Sequence, residues 1–294
     1  MDFLQPGTWS EALAAKAAHP DAVPIAGGTD VMVELNFDRR RPPALLDLTR
    51  VGALTEWGYD GDLLRVGAGV TYRRIIDELG DVLPGLAMAA RTVGSPQIRN
   101  RGTVGGNLGS ASPAGDAHPP LLATDARVEV ASVRGTRTVP VNEFFTGPKR
   151  SVLAPDELIS ALLVAPAAGP QQFAKIGTRN AMVIAVCSFA LALHPDTRRV
   201  GTGIGSAAPT PLRAHQAEEL LAAELPWRSR GPLPVPLARR FGELVAAAAA
   251  PIDDVRGTAA YRRQALAVLA RRTLGWAWAQ LSAMPRQREP GVRS

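Results

Sequence analysis

Arg99-Asn100-Arg101-Gly102-Thr103-Val104-Gly105-Gly106-Asn107-Leu108-Gly109-Ser110-Ala111-Ser112-Pro113-Ala114-Gly115-Asp116 is the stretch on which the reading of this chain turns. Five glycines, three hydroxyls and two asparagine amides lie within it. Glycine lacks Cβ and tolerates positive φ, so successive backbone N–H groups can converge on an anion. A shorter stretch of the same kind comes earlier, Ile25-Ala26-Gly27-Gly28-Thr29-Asp30-Val31. Paired glycines alone also make plain turns, but two such loops facing each other fit a diphosphate. Neither is a P-loop, because no Lys-Ser/Thr pair follows at the required spacing. Gly67-Ala68-Gly69 and Gly201-Thr202-Gly203-Ile204-Gly205 lack the third glycine of a dinucleotide fingerprint. Asp30, Asp116 and Asp125 fall near the loops and read as carboxylates that cap turn N–H groups.

Around these loops, Pro and Gly recur at short intervals through the first 200 residues and imply short strands. Strands are expected at 22–26, 45–48, 63–68, 127–133 and 158–164. Thr71 is placed to cap a helix with Tyr72, Ile75, Ile76 and Leu79 on one face. Residues 165–170 (Ala-Pro-Ala-Ala-Gly-Pro) read as a linker. Strands at 173–176, 185–193 and 200–206 follow, then helices at 214–225, 237–250 and 259–281. Tyr261, Ala265, Val268 and Leu269 are expected to form the last helix's apolar stripe. The fold class is α+β: a larger N-terminal domain, then a smaller domain of strands followed by helices.

Composition narrows the function. At 46% hydrophobic and 20% charged over 294 residues, the chain can bury a sizeable core. Its densest apolar run, Ala181 to Leu193, is shorter than the roughly 20 residues that span a bilayer. The N-terminus lacks the pattern of a secretory signal, so a cytoplasmic location and no membrane role are expected. One cysteine, Cys187, cannot hold a four-thiolate cluster and sits in an apolar run as a core thiol. The four histidines have no metal-ligand spacing. The net charge of +6 resides in the stretch from Thr210 onward, where 13 arginines face 7 acidic residues. These arginines are scattered on helical patterns, which argues against nucleic acid and for solvated faces or a docking face for an acidic partner.

The motifs A-G-G-T-D after a strand and R-N-R-G-T-V-G-G-N-L-x-x-A-S-P-x-x-D resemble the FAD-binding (medium) subunits of the xanthine dehydrogenase and carbon monoxide dehydrogenase family of molybdenum hydroxylases. Phe173-Ala174-Lys175-Ile176-Gly177-Thr178-Arg179 and the later G-I-G-S-A-A-P-T-P-L-R, Gly203 to Arg213, are similar to segments of that family's C-terminal domain. The resemblance implies a vanillyl-alcohol-oxidase-type (PCMH) FAD domain in two α+β lobes over 1–168, a flavoprotein C-terminal domain over 171–285, and a polar tail at 286–294. It implies FAD as cofactor, with Ile25, Ala26, Gly27, Gly28, Thr29, Asp30 and Val31 on one side of the diphosphate. Thr103, Val104, Gly105, Gly106 and Asn107 would lie on the other side. Ser112, Asp116, Ile159, Lys175 and Ile184 are the further cofactor positions that it implies. No role carries over to His118, which reads as a surface or loop-stabilising residue. No catalytic triad or metal site is expected.

The implied function is electron transfer from a 2Fe–2S subunit, itself fed by a large molybdopterin subunit, through FAD to NAD⁺, oxygen or another acceptor. A free-standing FAD oxidoreductase would need a substrate base or a covalent flavin site, and neither is evident in the sequence. A non-catalytic binding protein using the basic C-terminal third is the other alternative.

Overall fold

The computed structural model describes residues 1–285, and the expected tail at 286–294 lies outside them. The first lobe runs β1 (Asp2–Leu4), α1 (Trp9–Ala18), β2 (Val23–Ile25), α2 (Val31–Asn36) and β3 (Ala44–Asp47). Its three strands pair in parallel in the order β1-β3-β2. Helix α1 starts at a capping box: Thr8 Oγ1 accepts from Glu11 N, and Glu11 Oε2 accepts from Thr8 N.

The second lobe comprises β4 (Trp57–Asp60), β5 (Leu63–Gly67), α3 (Tyr72–Glu78), α4 (Pro84–Thr92), α5 (Pro96–Arg101), α6 (Val104–Ser110) and α7 (His118–Ala123). It continues with β6 (Arg127–Ser132), β7 (Gly135–Pro140), α8 (Val141–Phe144), β8 (Phe145–Gly147), β9 (Arg150–Ser151) and β10 (Leu158–Val164). The sheet is antiparallel in the order β4-β5-β10-β6-β7. Its central strand β10, Leu-Ile-Ser-Ala-Leu-Leu-Val, is apolar enough to be covered on both faces, and it is buried at six of its seven residues. Thr71 caps α3 as expected, accepting from Arg74 N.

The last part is β11 (Gln171–Ile176), β12 (Cys187–His194), β13 (Arg199–Gly205), α9 (His215–Glu224), α10 (Val235–Ala248) and α11 (Ala259–Ala283). Its antiparallel sheet has the order β11-β12-β13. Strand alternation divides β12 between two cores. Cys187, Phe189, Leu191 and Leu193 join a core with the three final helices, whereas Ala190 and Ala192 meet Ala89 and Ala123 of the second lobe. Burial pushes the Cys187 thiol up to about 12, which makes it inert.

The glycine run 201–205 is a packing surface. A Cβ on Gly201 would lie 1.9 Å from Ala123 O, and one on Gly203 would lie 2.0 Å from Pro119 O. Glycine at alternate positions of β13 lets the backbone of α7 rest directly on the sheet.

Three expectations need correction. The stretch after Thr103 is helix α6 rather than loop, with Thr103 as its cap accepting from Gly106 N. Asp30 makes no capping bond, Asp116 accepts instead from Lys175 and Thr92 side chains, and Asp125 pairs with Arg199 and Arg213. In α11 Tyr261 points outward at 51% exposure, and Arg262 takes the inward position ahead of Ala265, Leu266, Leu269 and Ala270. Apolar periodicity assigned the stripe to the tyrosine because a buried arginine has no hydrophobic signature.

Candidate functional site

A cleft of about 840 Å³ runs between the two N-terminal lobes, within the range of ligand pockets. The β2–α2 turn forms one wall. The lobes meet there without a side chain between them, because a Cβ on Gly27 would fall 2.0 Å from Arg101 O. Gly28 takes φ +74°, the left-handed region that glycine enters without strain. Among the described residues, the backbone N–H groups of Gly27, Gly28, Thr29 and Asp30 donate to no other group of the chain. Four consecutive backbone donors with no protein partner beside a cleft are available to an anion.

Helix α6 and the turn after it also line the cleft. Gly105 is buried against Ala68, where a Cβ would come within 2.5 Å. Gly106 is exposed to the cleft, with only Thr103 Oγ1 near a Cβ, at 3.0 Å. The glycines of this wall therefore serve close approach and open space, not positive φ. Asn107 and Asp116 line the cleft, and each keeps one side-chain oxygen, Oδ1, without a hydrogen-bond partner among the described residues. Buried polar atoms are normally paired, so such orphans at a cleft mark a place for a polar ligand.

Arg101, Arg40, Lys16 and Lys149 also line the cleft. Glu34 holds Lys149 and Arg40, while Arg101 makes no ion pair among the described residues. The walls thus offer backbone donors and cationic side chains, the chemistry that a diphosphate requires. The same residues include no group of His, Cys, Asp and Glu able to hold a metal ion.

The structure brings most of the expected residues to this one cleft. Ala26, Gly27, Gly28, Thr29, Asp30, Val31, Thr103, Gly105, Gly106, Asn107, Ser112, Asp116, Ile159 and Ile184 all line it. Ile25 lies behind Gly28, Val104 is in the core, and Lys175 stands behind Asp116. Lys175 reaches across from β11 and donates to Asp116 Oδ2 at 2.5 Å, Thr92 O at 2.9 Å and Val183 O at 3.1 Å. Burial pushes the Asp116 carboxyl above its ordinary range, while the Lys175 ammonium opposes that shift.

His118 is fully buried, its ring 4.5 Å from and tilted 46° to that of Phe145, with Nε2 3.2 Å from Asn107 O. Desolvation lowers its pKa to about 4, so it is neutral near pH 7 and stabilises the loop rather than facing solvent. Sequence reading missed Lys16, whose Nζ donates to Pro20 O and Ala22 O beneath the cleft. Its place in an alanine-rich helix gives no hint of that role.

Comparison with known proteins fits this geometry. Residues 1–166 match the model of the FAD binding domain in molybdopterin dehydrogenase, and residues 172–277 match the CO dehydrogenase flavoprotein C-terminal domain. The nicotine 6-hydroxylase medium subunit of Paenarthrobacter nicotinovorans is 32% identical, over 92% of this chain and 95% of that protein. The xanthine dehydrogenase FAD-binding subunit of Escherichia coli O157:H7 is 33% identical, over 74% of this chain and 77% of that protein. Among solved structures, a chain of the carbon monoxide dehydrogenase from Hydrogenophaga pseudoflava, in a form lacking the Mo-pyranopterin moiety, superposes with a TM-score of 0.88. It is 26% identical, covering 96% of this chain and 98% of that one. With its cleft and both of its parts matched, the chain belongs to the FAD-binding subunits of the molybdenum hydroxylase family, and it is an FAD-dependent oxidoreductase subunit.

Proposed function

We propose that this chain is the electron-transfer subunit of a heteromeric molybdenum hydroxylase, set between a 2Fe–2S subunit and an acceptor such as NAD⁺ or oxygen. The observation that carries the reading is that Gly27 to Asp30, whose N–H groups have no protein acceptor, line the same cleft as Gly106 and Asn107. Bound FAD supplies the redox chemistry, and the protein supplies binding, orientation and electrostatics. In this reading 1–168 is the FAD-binding domain and 171–285 the flavoprotein C-terminal domain.

Gly27 to Asp30 hold the diphosphate through their N–H groups, and Arg101 balances its charge. Asn107 and Asp116 turn their free oxygens to hydroxyl or N–H donors of the cofactor, with Lys175 holding Asp116 in place. Ile159 and Ile184 exclude water from the cleft.

The partners follow from what this chain can ligate. Its one cysteine, Cys187, is buried in the sheet, whereas a 2Fe–2S cluster takes four protein ligands. The clusters therefore belong to a cysteine-rich small subunit and the molybdopterin to a large one. The medium-subunit name of the nicotine hydroxylase relative places that protein in an enzyme of several subunits. No helix among the described residues is long and apolar enough to cross a membrane, and we place the complex in the cytoplasm. Native purification of the tagged chain from its own cell should recover two further polypeptides with iron, molybdenum and FAD in stoichiometric amounts. A chain that purifies alone, with FAD bound and active on a small substrate, would favour the free-standing oxidoreductase instead.

A further inference from the structure

Arg262 is the largest fully buried side chain among the described residues, at 1% exposure. It enters from the first turn of α11, in the C-terminal domain, and its contacts lead to the cleft. Its Nη1 donates to Val186 O at 3.0 Å and to Ser206 O at 2.6 Å, and its Nη2 donates to Asp254 Oδ1 at 2.5 Å. Asp254 also accepts from Arg256, through N at 2.8 Å and Nη2 at 2.6 Å. Arg256 Nη1 in turn reaches Ala185 O at 3.4 Å.

The two carbonyls of 185 and 186 belong to the segment that carries Val183 and Ile184 to the cleft. Ser206 extends the same cluster to the other wall. Its Oγ donates to Ala185 O at 2.7 Å, and its N donates to Pro113 O at 2.8 Å, between the cleft-lining residues Ser112 and Ala114. Ser206 holds φ at +59° to make both bonds, a conformation that a non-glycine residue adopts at a cost. Hydrophobic packing alone would not need a desolvated guanidinium here, and a buried charge is retained only where it is paired and hydrogen-bonded.

We propose that Asp254, Arg256 and Arg262 form a positioning cluster that fixes both lips of the FAD cleft, at 112–114 and 183–186, from the C-terminal domain. None of the three lines the cleft, so they act through the backbone they hold. The proposal rests on the assignment of the cleft to FAD, and wild-type titration in the same experiment tests that assignment separately.

The test titrates the FAD-free full chain with FAD, following flavin fluorescence, and records the visible circular dichroism of the bound flavin. Arg262→Met and the milder Arg256→Ala should each raise the Kd about tenfold, the scale of one lost hydrogen bond to a charged group. They should also alter the flavin dichroism, and Arg262→Lys should restore part of both. Leu274→Ala, in the same helix and core but far from these carbonyls along the sequence, serves as the control: it should lower the unfolding midpoint and leave Kd and dichroism unchanged. If Arg262→Met does not fold, Arg256→Ala carries the test. Unchanged Kd and dichroism in Arg256→Ala, or an equal rise in Kd for Leu274→Ala, would overturn the proposal.

Discussion

Gly106→Glu is expected to give a folded protein that no longer retains FAD. Gly106 is exposed on the cleft wall in the first turn of α6, with open space around all but Thr103 Oγ1. Replacing a helical glycine raises helix propensity by about 0.5–1 kcal/mol, so the apoprotein should lose no stability. The new carboxylate enters the cleft that Gly27 to Asp30 also line, where the diphosphate is assigned. Like charges placed together at an interface cost several kcal/mol, which makes a loss of affinity of at least about 100-fold the expected result. Titration of the apoprotein with FAD measures it, and Gly106→Gln, with similar bulk and no charge, should lose less. Affinity unchanged in the glutamate variant removes the diphosphate from this wall.

The second large effect is on stability. Lys175→Met should cost about 3–5 kcal/mol, the usual consequence of leaving one partner of a buried ion pair alone. Both side chains are only 9% exposed, so water does not replace the missing ammonium. Thr92 Oγ1, at 3.2 Å from Asp116 Oδ2, is then the carboxylate's remaining hydrogen-bond donor. The loss has a defined pH dependence. Burial already raises the Asp116 carboxyl, and removing Lys175 raises it further. A carboxyl raised in the folded state binds a proton that the unfolded chain has released, so stability falls as pH climbs between the two values. The deficit of Lys175→Met should therefore be largest near neutral pH and narrow on acidification. Urea unfolding of the FAD-free chain across pH reads it out. Lys175→Met combined with Asp116→Leu should recover much of the loss, because no buried charge is left unpaired. An additive double variant would show that the two residues do not act as a pair.

The strands of the C-terminal domain were legible as short apolar runs, but the division of β12 between two cores was not, because a strand buried on both faces reads as one continuous apolar stretch. Both glycine-rich segments stood out in the sequence and line one cleft in the structure, but the reasons for their glycines were only half legible. Of the first pair, Gly28 does take positive φ, whereas Gly27, Gly105, Gly201 and Gly203 are glycines because another backbone or a side chain occupies the space of a Cβ. Such contacts join segments far apart in the chain and leave no local trace. Glycine content likewise concealed helix α6, since propensity opposes a helix that tertiary packing on Ala68 imposes. Arg262 was hidden for a related reason: hydrophobic periodicity cannot register a charged side chain that is buried to hold carbonyls. Helix α1 could have been found, since Thr8 and Glu11 carry the spacing of a capping box.

Calorimetric titration of the FAD-free chain with FAD and with riboflavin asks whether the cleft grips a diphosphate. Hydrogen bonds to charged groups contribute about 1.5–3 kcal/mol each, so FAD should bind once per chain and riboflavin at least about 100-fold more weakly. Riboflavin binding as tightly as FAD would contradict the account.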